Sequence, residues 1–545
     1  MPEKANLQVI FIGNYIAKTS ARCYTENIKE RGVYLMPKWL NDAVFYEIYP
    51  QSFYDSNGDG IGDINGIIQK LDYVKGLGCN AIWLNPVYDS PFMDAGYDVR
   101  DYYKVAPRYG TNDDLVRLFE AAHRKDIKIL LDLVPGHTSD THPWFQAAKR
   151  ARESDLSNRY IFTKSVWDAP PEYRLMCGIC ERDGNYMVNY FSSQPALNYG
   201  FYEITHPEWQ LPPDHPDCLR TAEAIKAIMR FWLDKGADGF RVDMADSLVK
   251  NDDEKIATAK IWRGVREMLD AEYPEAAMVS EWCNADRSIN NAGFHMDFYL
   301  DHYGNGYSRL FRFGEWGDLA VFNKNGLGDL KGFAEEYLPA YNRTKDNGYI
   351  CYMTNNHDMP RVTAYLDKQA IKLVNAFIFT MPGVPFLYYG DEIGMRYQAD
   401  LISKEGGFSR TGSRTPMQWC EDKNLGFSTS DYPYLPVDLS DDAPTVENQK
   451  DDPDSIYRVV TDMIALRHKY DDLHGNGELE FIYKDNEIPF AYRRGSLIMF
   501  FNPLDKTAEI ETDSDGDVVY KIGDAIIEEG KVKLQPQSFL MIHCI

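Results

Sequence analysis

Short hydrophobic runs alternate with amphipathic stretches along the chain from about residue 43 onward. The runs are rich in β-branched and aromatic side chains, whereas the stretches between them repeat apolar positions at helical spacing. This alternation predicts strand–helix units around a buried parallel sheet. Eight runs are present, the number that a closed (β/α)₈ barrel requires, and the predicted strands are 43–49, 81–87, 127–134, 239–244, 277–282, 296–300, 349–354 and 384–389.

One connection in this pattern is far longer than the others. About a hundred residues separate the third and fourth predicted strands, whereas most strand–helix connections have only a few. Residues 138–215 are rich in aromatic, proline and polar side chains, and they predict a small domain inserted into the barrel. Its aromatic side chains are expected mostly in the core of that domain rather than stacked on a ligand: Trp144, Phe145, Tyr186 and Tyr190.

The pattern changes after a predicted helix at 455–467. Apolar and polar residues then alternate with a period of two, in runs that turn residues separate: 490–492, 497–501, 518–520 and 539–543. Such runs predict an antiparallel β-domain, here a β-sandwich.

The predicted fold is therefore α/β, a (β/α)₈ TIM barrel with one insertion and a C-terminal domain. The barrel comprises 36–137 and 216–468, the inserted domain 138–215, and the β-sandwich 469–545. Helices are predicted at 113–125 and 221–235, between barrel strands. Residues 1–35 fit none of these patterns, and two interpretations stay open: an N-terminal extension, or an upstream start for a chain that begins at Met36.

The composition narrows the class of partner. The chain has 545 residues and a formal net charge of −25, which argues against nucleic acid and anionic membranes, because basic surfaces bind both. No apolar run reaches the ~20 residues of a membrane span. Nine scattered cysteines form no dense framework, as is typical of reduced thiols in a cytoplasmic protein.

Polar side chains lie where several predicted strands end, and in a (β/α)₈ barrel these ends form one catalytic rim. Arg241 and Asp243 are two apart on the fourth strand, so their side chains share a face. Such a convergence predicts an active site. The candidate residues are His137, Arg241, Asp243, Glu281, His357 and Asp358.

Three carboxylates beside an arginine, without a serine or thiol triad, suit glycoside chemistry. A retaining glycosidase uses one carboxylate to attack the anomeric carbon and a second to protonate the leaving oxygen, with the pair ~5 Å apart. Arg241 is expected to keep the pKa of Asp243 low, as a nucleophile requires. Glu281 is then the predicted acid/base, and Asp358 is a hydrogen-bonding clamp on the distorted sugar.

These segments resemble the conserved regions of the α-amylase family, a clan of α-glucan hydrolases and transglucosidases, over nearly the whole chain after Met36. The resemblance implies that Asp243 is the nucleophile, Glu281 the acid/base and Asp358 the stabiliser of the transition state. It also implies sugar contacts from three further residues: Arg241, His137 and His357.

Two more segments are similar to substrate-binding motifs of that family. In Gly96-Tyr97-Asp98, the resemblance makes Tyr97 an aromatic platform and Asp98 the group that holds the non-reducing end; Arg414 is then its ion-pair partner. A closed pocket around a terminal glucose implies exo action. Gly136 departs from the family pattern, which usually has asparagine there and uses it to support calcium in many endo-amylases, so that interdomain calcium is not expected.

A separate loop carries alternating oxygen ligands. A glycine permits a sharp turn and Ile61 can offer its carbonyl, as in calcium loops; the glutamate of an EF-hand is absent, since Gly66 stands there. The loop resembles the metal loop of oligosaccharide-cleaving α-glucosidases, and structural calcium is the expected cofactor, because the carboxylates would otherwise repel. The alternative is a turn that side-chain caps stabilise. The candidate ligands are Asp55, Asn57, Asp59, Ile61 and Asp63.

Three features bear on the subtype. The segment 194–198 resembles that of oligo-1,6-glucosidases, α-glucosidases and trehalose synthases, and Asp246-Ser247 stands where endo-amylases often have Lys-His. Met244 matches neither the valine of α-1,6 nor the alanine of α-1,4 specificity, so the linkage stays open.

The leading hypothesis is an exo-acting α-glucosidase on short oligosaccharides. A transglucosidase or isomerase of the trehalose synthase type is the alternative, because it uses the same covalent intermediate. A non-catalytic binding relative is disfavoured, since all three carboxylates are present. A small oligosaccharide is the expected partner, and the oligomeric state stays open.

Overall fold

The structure is a computed structural model that describes residues 36–300, 306–482, 488–514, 516–528 and 530–544. The predictions for residues 1–35 lie outside these ranges. No helix of the described part is long and apolar enough to cross a membrane. The eight cysteines in that part are free thiols, and the compartment stays a prediction.

All eight predicted strands are confirmed with shorter bounds: β1 Phe45–Ile48, β2 Ala81–Leu84, β3 Lys128–Leu133, β4 Gly239–Val242, β5 Ala277–Ser280, β6 Met296–Phe298, β7 Tyr349–Met353 and β8 Val384–Tyr388. These parallel strands close into a barrel in the order β1-β8-β7-β6-β5-β4-β3-β2. Strand β2 is buried at every position, as expected for a parallel strand covered on both faces.

Ten α-helices occur in the described residues, and most connect consecutive barrel strands: α1 Ile64–Leu77, α2 Asn112–His123, α3 Pro143–Ala148, α4 Pro216–Leu233, α5 Ile256–Glu272, α6 Tyr307–Phe311, α7 Leu330–Thr344, α8 Lys368–Thr380, α9 Val446–Gln449 and α10 Ile456–Lys469. The three predicted helices correspond to α2, α4 and α10. Thr111 caps α2 by a reciprocal pair of hydrogen bonds with Asp114, which satisfies two amides at the helix start.

The long connection between β3 and β4 folds over its own small core. It contains α3, a pair of short strands (Leu175–Met176 and Tyr186–Met187) and a cluster of buried apolar side chains. Phe145 and Tyr186 are buried, as predicted, whereas Tyr190 is 43% exposed. A second short hairpin, Tyr88–Asp89 with Asp101–Val105, follows β2.

The C-terminal region contains eight strands: β9 Glu480–Ile482, β10 Phe490–Arg494, β11 Leu497–Asn502, β12 Ala508–Glu511, β13 Gly516–Ile522, β14 Ala525–Glu528, β15 Lys531–Leu534 and β16 Ser538–Cys544. They form two antiparallel sheets, of order β9-β10-β11-β16-β13 and β12-β15-β14, and the four predicted strands are β10, β11, β13 and β16. Side chains of both sheets share one buried cluster, for example Phe500 and Val532, which confirms a β-domain and gives it the layers of a sandwich.

Candidate active site

Arg241 lies at the centre of the rim and contacts three carboxylates. It projects from β4 and is fully buried. One terminal nitrogen, Nη1, donates to Asp132 Oδ1 at 2.9 Å and to Asp243 Oδ1 at 3.0 Å, while Nη2 lies 2.7 Å from Glu281 Oε2. One guanidinium therefore joins the two predicted catalytic carboxylates. Asp132, at the end of β3, was part of the predicted strand but not of the predicted site.

The backbone next to Asp243 also holds Glu281. Met244 has a left-handed conformation, with φ 43°, and its N–H donates to Glu281 Oε2 at 3.0 Å. A non-glycine residue in this region is strained unless its surroundings fix it. In this conformation the amide of Met244 points toward the carboxylate of Glu281, which follows the neighbouring strand β5.

The expected low pKa of Asp243 is not what the structure supports. Burial raises the pKa of this carboxyl, the Arg241 guanidinium opposes that rise, and the nearby Glu281 and Asp132 add to it. The physical reason is first that this carboxyl is buried, and second that it shares one arginine with two other carboxylates, Glu281 and Asp132. Proton binding at Asp243 is therefore sensitive to any further charge in the site.

His357 is enclosed by polar partners on both ring edges. Its Nδ1 lies 2.9 Å from Glu47 Oε1 and its Nε2 lies 3.1 Å from Asp358 Oδ2. The ring of Tyr97 stacks on it at 5.2 Å between centroids. Burial disfavours the charged imidazolium, but Asp358 and Glu47 outweigh that effect and raise the pKa of His357 to about 9. The ring therefore carries a positive charge at neutral pH.

Asp358 faces two arginines as well as His357. Arg410 Nη1 and Arg414 Nη2 each donate to Asp358 Oδ1 at 2.9 Å. Burial favours the neutral acid, yet His357 and the two arginines lower the pKa of Asp358 well below its usual range. Asp358 is thus a fixed anion, as stabilisation of a positively charged transition state requires.

The predicted pair of Asp98 with Arg414 is wrong. Both oxygens of Asp98 accept hydrogen bonds inside its own loop, from Ser90 Oγ and from the amides of Met93 and Asp94. This turns the carboxylate away from the rim, and Arg414 donates to Asp358 instead.

The equivalent pair in the structure is Asp94 with Arg410. Arg410 Nη2 donates to Asp94 Oδ1 at 3.0 Å, and Gln194 Nε2 donates to Asp94 Oδ2 at 2.8 Å. Asp94 precedes the predicted Gly-Tyr-Asp motif by two residues, and Arg410 precedes Arg414 by four. Neither Asp94 nor Arg410 was predicted from the sequence, because contacts between distant loops depend on loop geometry that chain order does not show.

A cavity of about 290 Å³ opens at this rim. Its volume is at the lower end of the range for ligand pockets, which suits one sugar ring better than a glucan chain. Tyr190, from the inserted segment, forms part of the cavity wall. It was predicted to lie in the core of the inserted domain, and its exposed position departs from that prediction. The lining residues are Asp94, Tyr97, His137, Tyr190, Asp243, Met244, Glu281, Asp358 and Arg410.

The predicted calcium loop is folded as a series of side-chain-capped turns. Asp55 Oδ1, Asn57 Oδ1 and Asp59 Oδ1 each accept from the amide two residues on. Asp63 caps α1 by accepting from the amide of Gly66. In the described residues, no three histidine, cysteine, aspartate or glutamate side chains form a metal-binding group.

This geometry fits the alternative prediction, a turn that side-chain caps stabilise. A calcium site in this loop would also need the oxygens of Asn57 and Ile61 as ligands. Calcium stays a prediction.

The arrangement can perform two-step glycosyl transfer. Asp243 and Glu281 border one small cavity and share one guanidinium, which supports the close pair of carboxylates that a retaining glycosidase needs. Asp358 supplies negative charge at the same cavity, and Arg410 and Asp94 line it as an ion pair.

Comparisons with known proteins agree with this geometry. The family model of the alpha-amylase catalytic domain matches residues 47–476. The chain is 34% identical to the trehalose synthase/amylase of Mycolicibacterium smegmatis over 487 residues, which is 79% of this chain and 77% of that protein.

It is 32% identical to an oligo-1,6-glucosidase of Heyndrickxia coagulans over 529 residues, 84% and 90% of the respective chains. Among solved structures, an isomaltulose synthase variant of Erwinia rhapontici in complex with D-glucose has a TM-score of 0.78, with 24% identity over 94% of this chain and all of that one. That last similarity concerns the fold.

Proposed function

Because the chain belongs to the α-amylase family and is a glycoside hydrolase of that family, we propose that it is a retaining, exo-acting α-glucosidase. Its substrates are short oligosaccharides with a terminal α-linked glucose. The reaction proceeds through a covalent glucosyl–enzyme intermediate on Asp243.

The ion-paired wall that Asp94, Asp358 and Arg410 form along the cavity is the observation that carries the exo assignment. Arg410 bridges Asp94 and Asp358, and Gln194 holds the second oxygen of Asp94. These groups occupy the direction in which a longer chain would continue beyond the non-reducing sugar. A terminal glucose can fill the cavity and hydrogen-bond to them, whereas an internal glucose carries a further sugar that this wall excludes.

The residues of the rim then have distinct roles. Asp243 attacks the anomeric carbon while Glu281 donates its proton to the leaving oxygen, and Glu281 next removes a proton from the incoming water. Asp358 and the charged His357 position the sugar and balance its developing charge. Arg241 holds both catalytic carboxylates in register.

A second candidate, an isomerase of the trehalose synthase type, is supported by the 34% identity to the mycobacterial trehalose synthase/amylase. It would form the same intermediate on Asp243 and transfer the glucosyl group back to the released sugar instead of to water. The two candidates differ in what reaches the anomeric carbon after the first step.

The exo assignment is tested with maltotetraose that carries a fluorescent tag at its reducing end. Exo cleavage from the other end predicts glucose and tagged maltotriose as the first products, resolved by chromatography. Tagged maltose or tagged glucose as the first fluorescent product would contradict it.

Two comparisons complete this experiment. The Asp243→Asn protein serves as the matched control and should release neither product at a comparable rate. Incubation with maltose alone separates the candidates, because trehalose accumulating with little free glucose would favour the isomerase.

A further inference from the structure

Asn189, in the inserted segment, joins three parts of the active-site wall. Its Nδ2 lies 3.2 Å from His137 Nδ1 and 3.4 Å from Ser247 Oγ, and Lys250 Nζ donates to its Oδ1 at 3.0 Å. Asn189 does not itself line the cavity, but His137 does. The asparagine therefore acts on the cavity through the histidine.

Lys250 fixes the orientation of the Asn189 amide. A lysine ammonium can only donate hydrogen bonds, so the atom that faces it must be the carbonyl oxygen of Asn189. The backbone of Lys250 is in turn bound to the inserted segment, through bonds to Gly200 and Tyr202 at 3.0 and 2.9 Å. The amide nitrogen of Asn189 must then face His137.

The two partners of His137 agree on the position of its proton. The NH₂ group of Asn189 donates, so Nδ1 of His137 must accept and carries no proton. At the other edge, Nε2 lies 3.1 Å from the carbonyl oxygen of Tyr97, which can only accept, so Nε2 carries the proton. Burial lowers the pKa of His137 to about 4, with Lys250 adding to the effect and the Tyr97 bond opposing it, in agreement with a neutral ring.

Gly136 makes room for this contact. A Cβ atom at position 136 would lie 2.7 Å from Asn189 Nδ2 and 3.0 Å from Ser247 Oγ, closer than side chains pack. The backbone of Gly136 is not in the left-handed region, so the absence of a side chain serves space rather than conformation. A side chain at 136 and the amide of Asn189 exclude each other.

We infer that Asn189 is a positioning residue that holds His137 with its proton on Nε2, through a directed series of hydrogen bonds from Lys250 to Asn189 to His137. The consequence for the cavity is that both ring nitrogens of His137 are engaged by the protein, Nδ1 by Asn189 and Nε2 by the carbonyl of Tyr97, so the neutral ring holds one orientation in the wall. This role rests on the proposed function, because it makes that fixed ring part of the sugar-binding cavity. The hydrogen-bond series itself does not depend on which sugar is bound.

Nitrogen NMR of the protein labelled with ¹⁵N-histidine, without substrate, reads the proton position directly. The signals of His137 are assigned by their loss in His137→Gln, since the chain has 11 histidines. The wild-type protein at neutral pH should show an unprotonated Nδ1 and a protonated Nε2. In Asn189→Asp the carboxylate accepts instead of donating, so Nδ1 should become protonated as well. A protonated Nδ1 in the wild-type protein would overturn the inference.

The kinetic test uses variants that alter the amide or its space. Asn189→Asp should lower kcat/KM by about tenfold, as expected for the loss of one buried hydrogen bond that orients an active-site ring. Gly136→Asn should lower it too, because the new side chain displaces Asn189. The double variant Gly136→Asn with Asn189→Gly returns an amide to the same space and should recover part of the loss, which a merely damaged fold would not do.

Ser247→Ala provides the control, since it removes a contact of the same amide and leaves the series from Lys250 to His137 intact; it should stay near wild-type activity. An Asn189→Asp protein with unchanged His137 signals and unchanged kcat/KM would overturn the role of Asn189. A wild-type protein with the expected NMR pattern but no activity on α-glucosides would instead count against the proposed function alone.

Discussion

Arg410 and Asp94 form an ion pair of 3.0 Å between residues 316 positions apart in the chain. Asp94 lies in the loop after β2 and Arg410 in a 3₁₀ helix, Phe408–Ser413, beyond β8. Two loops that are far apart in the sequence, but that follow the two strands on either side of β1, therefore meet at the wall of the cavity. The pair contributes two of the residues that line the cavity, and the proposed exo action depends on it.

The first prediction concerns Asp94. Asp94→Asn should lower kcat/KM on a disaccharide about tenfold to a hundredfold, because hydrogen bonds to charged groups contribute about 1.5–3 kcal/mol. Thermal stability should change little. Asp98→Asn should behave oppositely, with a lowered Tm, since Asp98 accepts from the amides of its own loop. Initial rates and melting curves of both variants decide; the reverse pattern would restore Asp98 as the sugar ligand.

The second prediction separates the two steps by the leaving group. Glu281→Gln removes the proton donor, so cleavage of maltose-type substrates should fall by about 10²–10⁴-fold. A p-nitrophenyl α-glucoside has a leaving group that needs no protonation, and its first step should be much less affected. The kcat/KM values on both substrates, which report the first step, are compared with those of Asp243→Asn, which should lose both. Equal losses on the two substrates in Glu281→Gln would contradict its role as acid.

The third prediction concerns the pH dependence of stability. The pKa of His357 is raised from 6.5 to about 9, so the charged ring stabilises the fold by about 3 kcal/mol. This contribution is fully present below pH 6.5 and is lost as the pH rises through 9. The wild-type Tm should therefore fall over this range, and the fall should be smaller in His357→Asn.

Glu47→Gln provides the intermediate case for that measurement. It removes a carboxylate 2.9 Å from His357 and should lower the pKa of the histidine, so the loss of stability should begin at a lower pH. Identical pH profiles for the wild-type protein and His357→Asn would mean that the ring is neutral in the fold.

The fourth prediction tests calcium at the loop of Asp55 to Asp63. If the loop binds calcium, protein freed of metal by a chelator should gain about 2.7 kcal/mol at a calcium concentration one hundred times the Kd, seen as a higher Tm. Magnesium should give a smaller effect, since it needs stricter geometry. Asp59→Asn should weaken the response. A Tm that does not respond to calcium would establish the loop as a self-capped turn.

Most of the barrel was predictable from the sequence, because buried parallel strands are short apolar runs and the helices between them are amphipathic. The C-terminal strands β12, β14 and β15 were missed for a physical reason. Each of them has only four residues, which is too few for an apolar–polar pattern to stand out from the turns on either side. Strand β9 was missed because it has only three residues, none of them fully buried.

The candidate site was predictable where the chain itself fixes direction. Arg241 and Asp243 share a face of β4 by strand geometry alone. Contacts between distant loops could not be read in this way, and Asp94 with Arg410 is the clearest example. The direction of the pKa shift of Asp243 was also beyond sequence reasoning, since it depends on how deeply the folded chain buries this carboxyl and on how many carboxylates gather around Arg241.

The most direct test of the central claim is the anomeric form of the first glucose released. Proton NMR during the first minutes of cleavage of p-nitrophenyl α-glucoside, whose only sugar is the transferred glucose, distinguishes α-glucose from β-glucose before they interconvert. Two displacements through Asp243 predict that α-glucose appears first and β-glucose only later. If β-glucose appears first, water attacks the sugar directly, and Asp243 is not the nucleophile.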